Sequence, residues 1–131
     1  MLFPTPPLRK RSGRIKSKPN AARPAVPVVL TAAVYDSDEL LLVLTFDRAV
    51  DVSGIVGAAI LVDDQQHNDA TFAATGAVEQ VSEAVVQIGL ELVGDSTGVG
   101  VHLDAAAGNG IVAVNDGGTW AGASDLVLPF P

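Results

Sequence analysis

Between Leu40 and Phe46 the chain reads LLLVLTF, an apolar run interrupted only by Thr45. Turn-forming segments bound it, Asp36-Ser37-Asp38-Glu39 before and Asp47-Arg48-Ala49-Val50-Asp51 after. A short apolar run between turn signals predicts a strand buried on both faces. Successive side chains of a strand alternate, so Leu40, Leu42, Leu44 and Phe46 would face one way and Leu41, Val43 and Thr45 the other. This strand is expected at the centre of a sheet, with everything after residue 27 built around it.

The rest of the pattern repeats that grammar. Val28–Tyr35 (VVLTAAVY) reads as a first strand, returned by the acidic turn into Leu40–Phe46 as a hairpin. Further strands are expected at Ala58–Val62, Asp69–Thr75, Ala84–Leu90, Val99–Leu103, Ile111–Val114 and Leu126–Leu128. Asp63 to Asn68 reads as a polar loop, and Asn115-Asp116-Gly117-Gly118 as a strong turn. Within Ala84–Leu90, Gly89 marks a bulge or a close backbone approach. One segment admits two readings. Val78, Val81, Val85, Ile88 and Leu92 recur at helical spacing, so a helix over Ala77–Val93 competes with strands. Gly89 and the β-branched crowding at Val85, Val86 and Ile88 oppose it. Seven or eight short strands separated by turns predict an all-β fold, a two-sheet sandwich with Greek-key links.

Charge changes the picture. Of 131 residues, eight are basic and fifteen acidic. Seven of the basic residues precede position 24, and no acidic residue precedes Asp36. Residues 1–27 therefore carry +7, while residues 28–131 hold Arg48 against all fifteen acids, a net −14. Six of the eight prolines also lie in the first 27 residues. Proline fixes φ and removes a donor, so neither helix nor central strand is expected to run through that piece. Two units follow: an extended Pro-rich basic arm, 1–27, and a globular body, 28–131. At about 3.3–3.6 Å per residue the arm could span about 90 Å. Such asymmetry points to an interaction arm. The plainer alternative is a solubilising tail.

The arm has one aromatic, Phe3, so base stacking is not its chemistry, and it has no zinc-finger, RRM or helix-turn-helix pattern. Phosphate neutralisation stays open as a second choice. An arm laid on an acidic protein surface is preferred, with Arg9, Lys10, Arg11, Arg14, Lys16, Lys18 and Arg23 as charges and Leu2, Phe3, Leu8 and Ile15 as apolar anchors. The chain has no cysteine, which removes disulfides and thiolate metal sites. Its start has no apolar signal-peptide core, so no secretory signal is expected. No apolar run approaches the roughly 18–20 residues of a membrane-spanning helix, and no membrane partner is expected.

The stretch LLLVLTFDRAVDVSGIVGAAILVDD resembles the bacterial Ig-like domains of S-layer and surface proteins, and AGNGIVAVNDGG is similar to their final loop-and-strand segment. The likeness covers about residues 28–128 and rests on loose motifs. It implies an Ig-like sandwich used for display or adhesion, and it carries no catalytic residue. The arm and the missing export signal depart from that family. A compact sandwich with a basic arm looks instead like the accessory and decoration proteins of tailed-phage particles.

Candidate chemistry is sparse. Asp36, Asp38 and Glu39 offer oxygen ligands, but the twelve-residue calcium loop is absent and a solvated turn is the simpler reading. Asp63, Asp64, His67 and Asp69 offer mixed ligands within seven residues, again with a polar loop as the plainer account. His102 could serve Ser96 or Thr97 as a base, but no nucleophile elbow accompanies it, and a strand histidine facing solvent or an interface is preferred. Asp47 and Asp51 flank Arg48, so a local ion pair pinning the turn is expected, with a subunit contact as the alternative. The glycines near 108–110 and 117–118 are not phosphate loops. Trp120 suits either a core plug or an exposed interface anchor.

No cofactor, metal or enzymatic activity is expected. The expected role is structural: a virion protein, head decoration or cement or a neck or tail accessory, present in many copies on a symmetric lattice and held to capsid or connector proteins by its arm. A bacterial cell-surface Ig-like binding module is the second expectation. A small DNA-associated protein with a phosphate-binding tail is the third.

Overall fold

A computed structural model describes residues 24–129. The arm contacts expected at Phe3, Arg9, Lys10, Arg11, Arg14, Ile15, Lys16, Lys18 and Arg23 lie outside the described residues. Within them the chain is all-β and sandwich-like. Its strands are β1 (Leu30–Asp36), β2 (Leu41–Phe46), β3 (Val50–Asp51), β4 (Ile60–Asp64), β5 (Ala70–Ala73), β6 (Val78–Ser82), β7 (Val85–Gly89), β8 (Glu91–Asp95), β9 (Val101–Ala105), β10 (Val112–Ala113) and β11 (Ala123–Val127). A 3-10 turn, Gly57–Ala59, leads into β4.

The strands form antiparallel sheets. One has the order β1-β2-β7-β6, a second the order β11-β9-β4-β5-β8, and β3 and β10 make a short two-stranded ribbon. The chain changes sheet between β2 and β4, between β5 and β6, and again at Leu90, between β7 and β8. Because β2 neighbours β7 and β4 neighbours β9, the main sheets are closed by contacts far apart in sequence.

The inner faces share one apolar core. Leu42, Leu44 and Phe46 of β2 and Val86 and Ile88 of β7 meet Ile60 and Val62 of β4, Phe72 of β5 and Leu103 of β9. Each such side chain taken from water stabilises the fold by about 1.5–3 kcal/mol. The expected central strand is central, since β2 lies between β1 and β7. It is fully covered on one face only. Leu42, Leu44 and Phe46 are buried, but Leu41, Val43 and Thr45 are half-exposed, because among the described residues no further layer lies on the outer side of that sheet.

Residues 77–93 are strand rather than helix, divided among β6, β7 and β8. Their helical spacing is coincidental: Ile88 is buried, while Val78, Val81 and Leu92 are exposed. A separate strand after Leu90 was not expected. It forms because the buried Leu90, its N–H donating to the Leu40 carbonyl at 2.8 Å, turns the chain from one sheet to the other. The outermost strands β6 and β8 are exposed at every residue, and Val78, Val81, Leu92 and Val93 stand on these edges.

The body takes hold of the chain before β1. Val28 is buried, bridges Trp120 in parallel fashion, and donates its N–H to the Thr119 carbonyl at 3.0 Å. Trp120 meets Phe46 edge-on, ring centres 5.4 Å apart and planes at 74°. The two rings close one end of the core.

Candidate functional site

Four titratable side chains converge on the outer face of the second sheet. Asp63 of β4 lies directly opposite His102 of β9, and Val127 of β11 opposes His102 from the other side. Asp104 stands two residues beyond His102 and so shares its face. The β9–β11 register slips between Ala123 and Leu126, and there Asp125 takes a left-handed backbone with φ 51°. The imidazole Nε2 of His102 lies 3.3 Å from Asp104 Oδ2, 3.4 Å from Asp125 Oδ1 and 3.6 Å from Asp63 Oδ2.

These groups sit in different surroundings. Asp63 and His102 are buried, Asp104 is partly open, and the Asp125 side chain is 82% exposed. Asp63 Oδ2 accepts from the Thr97 N–H at 2.9 Å and the Thr97 hydroxyl at 3.0 Å. Burial pushes the Asp63 carboxyl up, but the Thr97 hydrogen bonds and the nearby imidazole outweigh it and hold the group below the ordinary carboxylate range. Asp63 Oδ1 is buried with no partner among the described residues. Asp104 Oδ1 accepts the Asp125 N–H at 2.9 Å, which fixes the carboxylate whose other oxygen faces His102. A groove of about 360 Å³, lined by Gly98, Val99, His102, Asp125 and Val127, opens beside the cluster. A Cβ at Gly98 would collide with the imidazole, so this loop needs glycine to close over His102.

Asp63 was expected in a polar loop with Asp64, His67 and Asp69, a shared ligand set being the lesser reading. The set is dispersed, because Asp63 and Asp64 are consecutive strand residues and point to opposite faces. Asp64 faces inward and is fully buried. Its carboxylate accepts from the Tyr35 hydroxyl at 2.7 Å, from the Gln66, His67 and Asn68 N–H groups at 3.0, 2.8 and 3.2 Å, and from Asn68 Nδ2 at 3.2 Å. Asp69 accepts from the Ser96 hydroxyl at 2.7 Å. With Thr97 bound to Asp63, neither hydroxyl is presented to His102 as a nucleophile. The solvent-facing position expected for His102 is corrected: although on the outer face of the sheet, it is buried among carboxylates under a loop. In the first turn, Asp36 Oδ1 accepts the N–H groups of Asp38 and Glu39, each at 3.0 Å, which makes that segment a self-capped turn.

Arg48 pairs most closely with a residue the sequence did not suggest. Its Nη1 lies 3.0 Å from Asp116 Oδ2, Asp47 is more distant at 3.8 Å, and Asp51 instead accepts the Ser53 N–H at 2.9 Å. The guanidinium also donates to the Val26 carbonyl, and Asp116 accepts the Val26 N–H at 3.1 Å. Arg48 and Asp116 thus clamp the irregular segment that precedes β1. Trp120, 3% exposed, is a core residue rather than a surface anchor.

The one sequence signal for the His102 cluster was the H-x-D alternation at 102 and 104. Asp63 and Asp125 join it only through strand register and the β11 bulge. No protein-family model, curated protein or solved structure matches this chain.

Proposed function

We propose that this chain is a non-enzymatic structural protein of a phage particle, a head decoration or cement protein or a neck or tail accessory. The sandwich stands as a compact knob, and the basic arm lies across acidic capsid or connector surfaces. The observation that carries this reading is the separation of charge: +7 in residues 1–27 against −14 in the remainder. Complementary charge steers encounter and fixes orientation, and many copies on a symmetric lattice supply avidity. The clamp at Val26 supports the same reading. The only Lys or Arg of the body is committed to holding the segment through which any pull on the arm enters the fold.

The test compares the full chain with a deletion of residues 1–23, which spares the clamp. Each is mixed with particles of the phage or prophage whose genome encodes it, and co-sedimentation is measured. The expected result is stoichiometric binding by the full chain and none by a truncation that remains folded. Retention of binding by the truncation overturns the arm as anchor. Binding of both forms to DNA instead of particles overturns the virion role. If DNA were the arm's partner, log affinity would fall with log salt at a slope of up to about 0.7–0.9 per charge engaged.

A further inference from the structure

We infer that His102, Asp104 and Asp125 form a binding site for a first-row divalent transition metal such as Zn²⁺, with Asp63 as its buried supporting carboxylate. The inference is independent of what the arm binds.

Distance is the first argument. A nitrogen and three carboxylate oxygens at 3.3–3.6 Å are too far apart for good N–H···O hydrogen bonds, which fall at about 2.7–3.2 Å. Ligands bound tetrahedrally at about 2.0–2.1 Å stand about 3.3–3.4 Å from one another. His102 Nε2 meets Asp104 and Asp125 at that separation, and the ligand atoms of these three residues all lie within 4.8 Å of one another.

The second argument is the state of Asp63. Its side chain is 5% exposed, its Oδ2 faces the same imidazole nitrogen, and its Oδ1 is buried with no partner among the described residues. A carboxylate oxygen buried in a protein interior without a hydrogen-bond partner is costly unless a cation lies near. Arg48, the one Lys or Arg among residues 24–129, is engaged with Asp116 and Val26, so the described residues offer this carboxylate no free Lys or Arg.

The surroundings are those a metal shell requires. Asp104 is oriented by the Asp125 N–H, and Asp63 by Thr97, which gives the donor groups outer hydrogen-bond partners. The groove over Gly98 and Val99 supplies a route in. An imidazole among carboxylates favours Zn²⁺ and its neighbours over Ca²⁺ or Mg²⁺, whose shells are built from oxygen.

The experiment titrates chelator-treated full-length protein with ZnCl₂, read by calorimetry and by the NMR signals of the His102 ring. One ion per chain with a Kd of about 10 μM or tighter is expected, with the largest shifts on His102 rather than His67. Asp125 is exposed, so Asp125→Asn leaves the fold intact and should weaken Zn²⁺ at least tenfold; His102→Ala should abolish the site, and His67→Ala should leave it unchanged. The melting temperature of the wild type should rise with Zn²⁺, and that of His102→Ala should not. Absence of stoichiometric binding, or equal binding by wild type and Asp125→Asn, overturns the inference.

Discussion

Tyr35 of β1 donates its phenolic proton to Asp64 of β4 across 2.7 Å, so one hydrogen bond ties the two main sheets together. Burial and the adjacent Asp64 carboxylate both push the Tyr35 hydroxyl towards a higher pKa, which keeps it a donor throughout the ordinary pH range. Tyr35→Phe removes one donor from a buried charge and should cost about 1.5–3 kcal/mol. Asp64→Ala strands the Tyr35 hydroxyl and three backbone N–H groups together, and should cost about 3 kcal/mol or more. Urea denaturation of the two variants checks both the sign and the order.

Acid should act through the same carboxylate. Burial alone would raise the Asp64 pKa, but the hydrogen bonds from Tyr35, His67, Gln66 and Asn68 outweigh it and lower the folded value. A depressed folded pKa means the unfolded chain binds the proton more readily. The stabilisation is therefore fully present above the ordinary carboxylate value of about 3.9, and is lost as pH falls through the lower folded value. The urea midpoint of the wild type should drop across that window, and that of Asp64→Asn should drop less. Equal slopes would show that Asp64 is not the group responsible.

Trp120 is the only tryptophan and packs edge-on against Phe46. Its emission should be that of an apolar site and move to longer wavelength on unfolding, giving a single-probe assay of the whole core. Trp120→Ala should destabilise by about 3–5 kcal/mol, as expected for emptying a large aromatic site. Phe46→Leu should retain the fold while shifting the Trp120 emission.

The clamp at Val26 can be opened without touching the core. Arg48→Met keeps much of the aliphatic stem but loses the bonds to Asp116 and the Val26 carbonyl. Hydrogen exchange at the Val26 amide should quicken by about tenfold or more, as local opening becomes easier, while amides of β2 and β7 stay protected. Protection unchanged at Val26 would mean that Asp116 alone holds the segment.

Much of this fold was written in local pattern. The LLLVLTF run located β2 and its inner face, because alternation decides which side chains reach the core. Gly89 and the neighbouring β-branched residues correctly argued for strands over the helical spacing of residues 77–93. What local pattern could not carry was partnership at a distance. Asp63 and His102 are cross-strand neighbours 39 residues apart, and Asp125 reaches them only through a register slip. Arg48 found Asp116 instead of Asp51 because the β3–β10 ribbon brings the turn after β10 back beside β2. Asp63 and Asp64 read as loop because two acids seldom occupy a strand; each is tolerated there by hydrogen-bond donors contributed from other parts of the chain.

The open margins at β6 and β8 bear on how the molecule behaves in a crowd. Among the described residues each is an edge with one strand partner only, open to a passing chain of like shape, with Val81, Leu92 and Val93 offering grip. Glu79, Glu83, Glu91 and Asp95 stand on or beside these same strands, and their like charges oppose such pairing until salt screens them. Concentrated stocks at high salt should therefore thicken by margin-to-margin stacking well before the cores unfold, and a lysine at Val81 or Val93 would be the simplest way to prevent it.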